Sequence, residues 1–245
     1  MVSSAKSMNS SKIRTYVKLI ESSKVYDVAQ ITPITKANQL SKALNNEVLL
    51  KREDLQPVFS FKIRGAYNKL AKLKQKGVKG PFIAASAGNH AQGVAFGAKN
   101  LGLKAFIVMP VTTPSIKVNS VKNYGGKVIL HGDNFDEAYQ YAAQLVSKEG
   151  YTFIHPFDDK DVIAGQGTVG KELIEQLDSD IDAIFVPVGG GGLLAGLGTY
   201  VKAFSPKTKI IGVEPHDAAC LKLALDNNKR LSLACLLYTS DAADD

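Results

Sequence analysis

The 245-residue chain contains no tryptophan, two cysteines and four histidines. Two cysteines, Cys220 and Cys235, cannot build a disulfide framework, and their scarcity suits a reducing compartment. The histidines, His90, His131, His155 and His216, lack the spacing of zinc ligands. Long apolar runs are also missing. Each is broken by glycine, proline or charge, which excludes a transmembrane helix. Acidic residues are sparse at the start: the first 20 positions have none, against four Lys/Arg. Such a start fits an organellar transit segment, but the composition of residues 1–11 predicts a disordered N-terminus.

What is present is an ordinary globular balance, 45% hydrophobic and 22% charged, over a length that fits one large or two modest domains. The net charge of +7 is uneven, because residues 1–80 carry 16 Lys/Arg and 5 Asp/Glu. A basic half is compatible with nucleic acid or another anionic partner. No aromatic residue lies between Lys69 and Lys79 to stack on bases, however, and a solvated lysine-rich surface accounts for the excess.

From Pro81 onward strands and helices alternate. Strands are predicted at 82–85, 104–109, 127–130 and 151–154, separated by helices at 90–101, 115–124 and 135–148. A second series follows, with helices at 169–177, 193–204 and 218–225 around strands at 183–188 and 209–213. Earlier, 47–51 reads as a strand and 65–76 as a helix. The pattern implies α/β architecture, with parallel sheets carrying helices on both faces. The all-apolar Ile184-Phe185-Val186 reads as the buried centre of such a sheet.

Three segments carry candidate chemistry. Gly189-Gly190-Gly191-Gly192-Leu193 follows a strand and opens a helix, so its backbone N–H groups and the helix N-terminus suit a phosphate. The same loop would serve a dinucleotide or be no more than a tight turn. Lys62 lies between Phe61 and Ile63. Partial desolvation there would favour its neutral amine, a nucleophile toward aldehydes, although a snorkelling surface lysine looks the same in sequence. Ser86-Ala87-Gly88-Asn89-His90 joins a strand end to a helix start, where parallel sheets bind ligands. It could seat a carboxylate, or Ser86 or Asn89 could simply cap the helix.

The ordered set Lys51-Arg52-Glu53-Asp54, Ser60–Ala66, Ser86–Gly93, His155-Pro156, Val162–Thr168 and Val188–Gly196 closely resembles the fold-type-II pyridoxal-phosphate (PLP) enzymes, and most of all their biosynthetic threonine deaminase branch. The resemblance runs from about Val25 to Asn227. It implies a tryptophan-synthase-β-like architecture of two three-layer α/β domains with parallel sheets, a large one from 12–80 plus 159–231 and a small one from 81–158, with the site between them. It also implies dehydration and deamination of L-threonine to 2-oxobutanoate and ammonia, the first step of isoleucine biosynthesis, and of L-serine to pyruvate. In that scheme Lys62 holds PLP and removes the α-proton, and Phe61 packs near the cofactor. Asn89 bonds the cofactor ring oxygen, and Gly189, Gly190, Gly191, Gly192 and Leu193 cradle the phosphate. Ser86, Gly88, Asn89 and His90 seat the substrate.

Details choose among relatives. Gln56–Lys62 resembles the biosynthetic type, where catabolic deaminases and serine racemases more often have Thr-Gly ahead of Ser-Phe-Lys. Ala87 stands where racemase-like members carry a second serine as base. Cys220 stands where racemases have an acidic metal ligand, so no metal site is expected. The alternatives are a serine dehydratase or racemase of the same fold, or a fragment that binds PLP or partner subunits without turnover. The family continues past this chain's end, and residues 234–245 do not resemble it. The expectation is therefore a C-terminally truncated chain with an incomplete large domain, a non-native tail and poor stability. The resemblance further implies a homo-oligomer at full length, cytoplasmic or imported into an organelle, with no nucleic-acid or membrane partner.

Overall fold

The structure is a computed structural model that describes residues 10–229. The expected non-native tail and Cys235 lie outside the described residues, as do positions 1–9 of the expected disordered N-terminus. Ser10 and Ser11 are a correction: they open helix α1 (Ser10–Glu21). Its Ile20 is buried with Ala164 and Tyr200, and this tertiary packing supplies the stability that a short helix with no acidic residue in its first turn lacks.

The four strands predicted after Pro81 form one parallel sheet. They are β3 (Phe82–Ala85), β4 (Ala105–Met109), β5 (Lys127–Leu130) and β6 (Thr152–Phe153), in the spatial order β5-β4-β3-β6. β3 is central and wholly buried. The period of two along a strand sorts its side chains. Phe82 and Ala84 join Ile107 and Met109 on one face, while Ile83 and Ala85 join Val108 on the other. The first face is covered by α3 (Lys62–Gln75), α4 (Asn89–Asn100) and α5 (Ser115–Asn123), through Leu70, Val94 and Val121. The second is covered by α6 (Phe135–Glu149), through Ala138, Ala142 and Leu145. Sequence sets the limits of α6. The Asn134 side chain accepts from the Glu137 N–H, Glu137 accepts in return from the Asp133 N–H, and Gly150 closes the helix at φ 71°.

A second parallel pair, β7 (Ala183–Pro187) and β8 (Lys209–Val213), packs against α7 (Lys160–Gln176) and α8 (Gly192–Phe204). Two departures from expectation appear here. α7 begins nine residues before position 169, capped by Asp159, whose carboxylate accepts from the Asp161 and Val162 N–H groups. The glycines at 165, 167 and 170 conceal this start because glycine disfavours isolated helices. Phe185 is 68% exposed and not buried, since helices cover only one face of β7 among the described residues.

The N-terminal region adds an unforeseen antiparallel pair, β1 (Ile34–Lys36) with β2 (Leu49–Lys51), joined by α2 (Asn38–Leu44). The last helix among the described residues, α9 (Cys220–Asp226), has its first N–H groups met by Glu214, which accepts from Leu221 and Lys222 at 2.8 and 2.9 Å.

Glycines set how closely the helices approach. A Cβ at Gly165 in α7 would lie 2.6 Å from the Gly65 Cα and 2.7 Å from the Arg64 carbonyl oxygen in α3. At Gly170 it would meet the Leu197 carbonyl oxygen of α8 at 2.8 Å. The GxGxxG string at 165–170 is thus a packing surface in the middle of a helix and not a phosphate loop.

Candidate active site

A cavity of about 350 Å³ brings distant parts of the chain together. Phe61, Lys62, Asn89, Gly189, Gly190, Gly191, Gly192 and Leu193 all line it. Ser86, Gly88 and His90 do not, although they belong to the same β3–α4 turn as Asn89.

Lys62 is the first residue of α3, three positions earlier than the sequence placed the helix start. Helix formation there fixes its backbone, and Gly93 of α4 lets the neighbouring helix approach it. A Cβ at Gly93 would lie 3.1 Å from the Lys62 carbonyl carbon. The Lys62 side chain is half-buried, with Nζ 5.5 Å from the Phe61 ring centroid. Ser60 is buried, and its Oγ accepts from the Lys62 backbone N–H at 3.3 Å.

The glycine loop carries β7 into α8. Gly191 sits at φ 83°, a conformation open to glycine at no steric cost, and precedes the first residue of α8. A Cβ at Gly190 would fall 2.1 Å from the Phe157 ring. The loop therefore requires bare backbone at both positions, for different reasons. Its N–H groups at a 13-residue helix start form a positive cradle.

In the β3–α4 turn, Ser86 Oγ accepts from the Gly88 N–H at 3.2 Å, and no side chain caps α4. Asn89 is 8% exposed and faces the cavity. His90 Nε2 lies 2.9 Å from the Ile154 carbonyl oxygen, so that nitrogen carries the proton and donates. Burial, reinforced by the nearby Lys62 charge, lowers the His90 pKa to about 3. Its ring is thus a neutral structural group and contributes no positive charge toward a carboxylate.

The cavity also contains Lys51, Glu53, Phe59, Phe157, Gln166 and Pro187, none of which had been given a role. All but Phe157 and Pro187 fall inside the sequence blocks quoted above, so the signal was visible while the function was not. Glu53 belongs to a buried ionic cluster. Arg64 is fully buried and donates to both Glu53 oxygens at 2.7 Å, to Glu172 and to Thr168 Oγ1 at 3.0 Å. Lys51 donates to Glu172 and, at 2.7 Å, to the Thr32 carbonyl. Two cations thus meet two carboxylates beneath the first turn of α3. Gln166 ties α7 to that turn by accepting from the Gly65 N–H at 3.1 Å.

Among the described residues no three His, Cys, Asp or Glu side chains gather as metal ligands, and no helix is long and apolar enough to cross a membrane. The donor set is a lysine amine, a buried amide and a run of backbone N–H groups at a helix start. It fits an anionic, aldehyde-bearing cofactor, and the run of bare glycine backbone at a helix start fits its phosphate.

Residues 25–242 match the family described as pyridoxal-phosphate dependent enzyme. The chain is 59% identical over 218 residues to threonine dehydratase 1 biosynthetic, chloroplastic, of Solanum lycopersicum, covering 89% of this chain and 36% of that protein. It is 52% identical over 211 residues to L-threonine dehydratase biosynthetic IlvA of Escherichia coli, covering 86% of this chain and 41% of that protein. The fold superposes with a TM-score of 0.93 on the processed form of threonine deaminase isoform 2 from Solanum lycopersicum, at 48% identity over 96% of this chain and 65% of that one. Maize serine racemase gives a TM-score of 0.82 at 32% identity, over 94% of this chain and 68% of that one. The chain spans about two-fifths of the length of the curated relatives it matches.

Proposed function

The chain belongs to the pyridoxal-phosphate-dependent enzyme family, and on that premise we propose that its site serves deamination of L-threonine to 2-oxobutanoate and ammonia. L-Serine, giving pyruvate and ammonia, is the secondary substrate. The overall conversion is redox-neutral and consumes no net water. The observation that carries the reading is the meeting of Lys62, Asn89 and the 189–193 loop in one cavity, across more than 120 residues of chain.

PLP, when bound, supplies an electron sink for the substrate α-carbon. Lys62 would anchor it covalently and would also serve as the base that takes the α-proton. Asn89 holds the ring oxygen. Gly189–Leu193 hold the phosphate through backbone N–H groups, and Phe61 flanks Lys62. Ser86, Gly88 and Asn89 are assigned to seating the substrate carboxylate, Asn89 with its amide on the cavity wall and Ser86 and Gly88 from the turn behind it. The neutral His90 acts through the shape of the turn. Ala87 has no proton to exchange, which favours elimination over racemisation, and the absence of D-serine among the products of L-serine would bear that out.

Residues 81–158 are proposed as the small domain and 12–80 with 159–231 as the large one. Homo-oligomerisation is proposed for the longer protein. Action in the cytoplasm, or in an organelle after import, is proposed, and relatives named chloroplastic and mitochondrial support the organelle. The test is the visible absorption of the protein with added PLP, before and after borohydride. Lys62→Ala is expected to abolish the band and the borohydride-fixed adduct, and their survival in the variant would refute the assignment.

A further inference from the structure

Among the described residues, three non-glycines adopt positive φ: Asn45 at 46°, Asn228 at 50° and Phe59 at 58°. Asparagine tolerates this region, and Asn45 caps α2 there. A phenylalanine in it is a steric outlier. The strain persists because the residues around it are fixed. Buried Gln56 accepts from the Gln30 N–H at 2.9 Å and donates to the Gln30 carbonyl at 2.8 Å. The Pro57 carbonyl accepts from the Tyr124 hydroxyl at 3.0 Å, and Val58 is fully buried beside Val25 and Ile63. Ser60 is buried on the other side. Between these anchors the Phe59 N–H donates to the Gln56 carbonyl at 2.8 Å, closing a tight turn with Phe59 left-handed, and strain held in this way clusters at functional sites.

The result is an aromatic side chain 64% exposed on the wall of the cavity. The other two aromatic wall residues are already engaged. Phe157 packs on Gly190 and Gly192, and Phe61 packs on the α7–α8 core and under Lys62 Nζ. Phe59 is the aromatic wall residue with most of its surface still to cover.

We propose that Phe59 is a specificity-determining residue. Its ring covers the apolar β-substituent of a β-hydroxy amino acid, so the site favours a substrate with a β-methyl over one without. This rests on the reading of the site as a PLP site for amino acids. A methyl group removed from water against the ring favours threonine over serine by about fourfold.

The test uses Phe59→Asn, which accepts the left-handed backbone but removes the apolar face, and Phe59→Leu, which keeps apolar bulk and strain. The PLP absorption band of each protein is titrated with threonine and with serine by stopped flow, and its rapid first change, read before product forms, gives a ratio of apparent dissociation constants. The Asn variant is expected to melt at or above the parent and to lose about fourfold in that ratio, while the Leu variant stays within about twofold of the parent. An unchanged ratio in the Asn variant, or an equal loss in both, overturns the assignment of Phe59 while the Lys62-dependent band leaves the site reading standing. A parent with no band overturns the site reading, and the assignment with it.

Discussion

Replacing Gly165 by alanine adds one methyl group at the crossing of α7 and α3. That methyl would sit 2.6 Å from the Gly65 Cα, 2.7 Å from the Arg64 carbonyl oxygen and 2.9 Å from the Arg64 carbonyl carbon. All three are backbone atoms, so no rotamer change relieves the clash. Carbon contacts are comfortable at about 3.5 Å or more, so α3 must retreat by roughly 1 Å. Gly93 packs the far side of α3 and leaves no slack there. Overpacking of this kind costs about 3 kcal/mol, offset by about 1 kcal/mol of helix propensity, for a net loss near 2 kcal/mol. For a chain of this size the midpoint should fall by about 4–8 °C in thermal denaturation followed by circular dichroism. Gly198→Ala is the matched control. It lies within α8, its nearest neighbour is an Ile210 methyl at 3.5 Å, and the same chemical change should raise the midpoint by about 2–4 °C. A Gly165→Ala protein melting at or above the parent, or a Gly198→Ala protein falling as far, would refute the claim that backbone contact dictates glycine at position 165.

Arg64→Met strands Glu53 and Glu172 as buried carboxylates with Lys51 as their remaining cation, and should cost about 3–5 kcal/mol in urea denaturation. Adding Glu172→Leu should return part of that loss, and a single variant within about 1 kcal/mol of the parent would show that the cluster contributes little. The depressed His90 pKa carries a sign. The unfolded chain binds the proton near pH 6.5 and the folded one only near 3, so stability is complete above about 6.5 and is lost as pH falls toward 3. His90→Gln should flatten that part of the pH–stability curve, and an unaltered acid limb would assign it to other groups.

Much of the fold was legible because local rules and tertiary packing agree there. The β3–β6 sheet and its helices follow from apolar strands broken by turn residues, and the Asn134–Glu137 cap and Gly150 mark α6 as the sequence reads. The start of α7 was hidden because Gly165, Gly167 and Gly170 weaken a helix in isolation and are selected only by the helices packed on them. The exposure of Phe185 was hidden for a related reason, since an apolar strand does not say how many of its faces are covered.

The site divides the same way. Sequence by itself determined the chemical groups, namely a lysine beside aromatics, a serine–asparagine turn and a glycine run before a helix, together with the family they resemble. Only the tertiary structure decided that Lys62, Asn89 and the glycine loop share one cavity, that Arg64 neutralises the carboxylates beneath it, that His90 is neutral, and that Phe59 is held in a strained, exposed conformation. Residue type and spacing fix what a side chain can do. Burial, charge state and backbone strain come from atoms contributed by distant segments, and they exist only once the chain has packed.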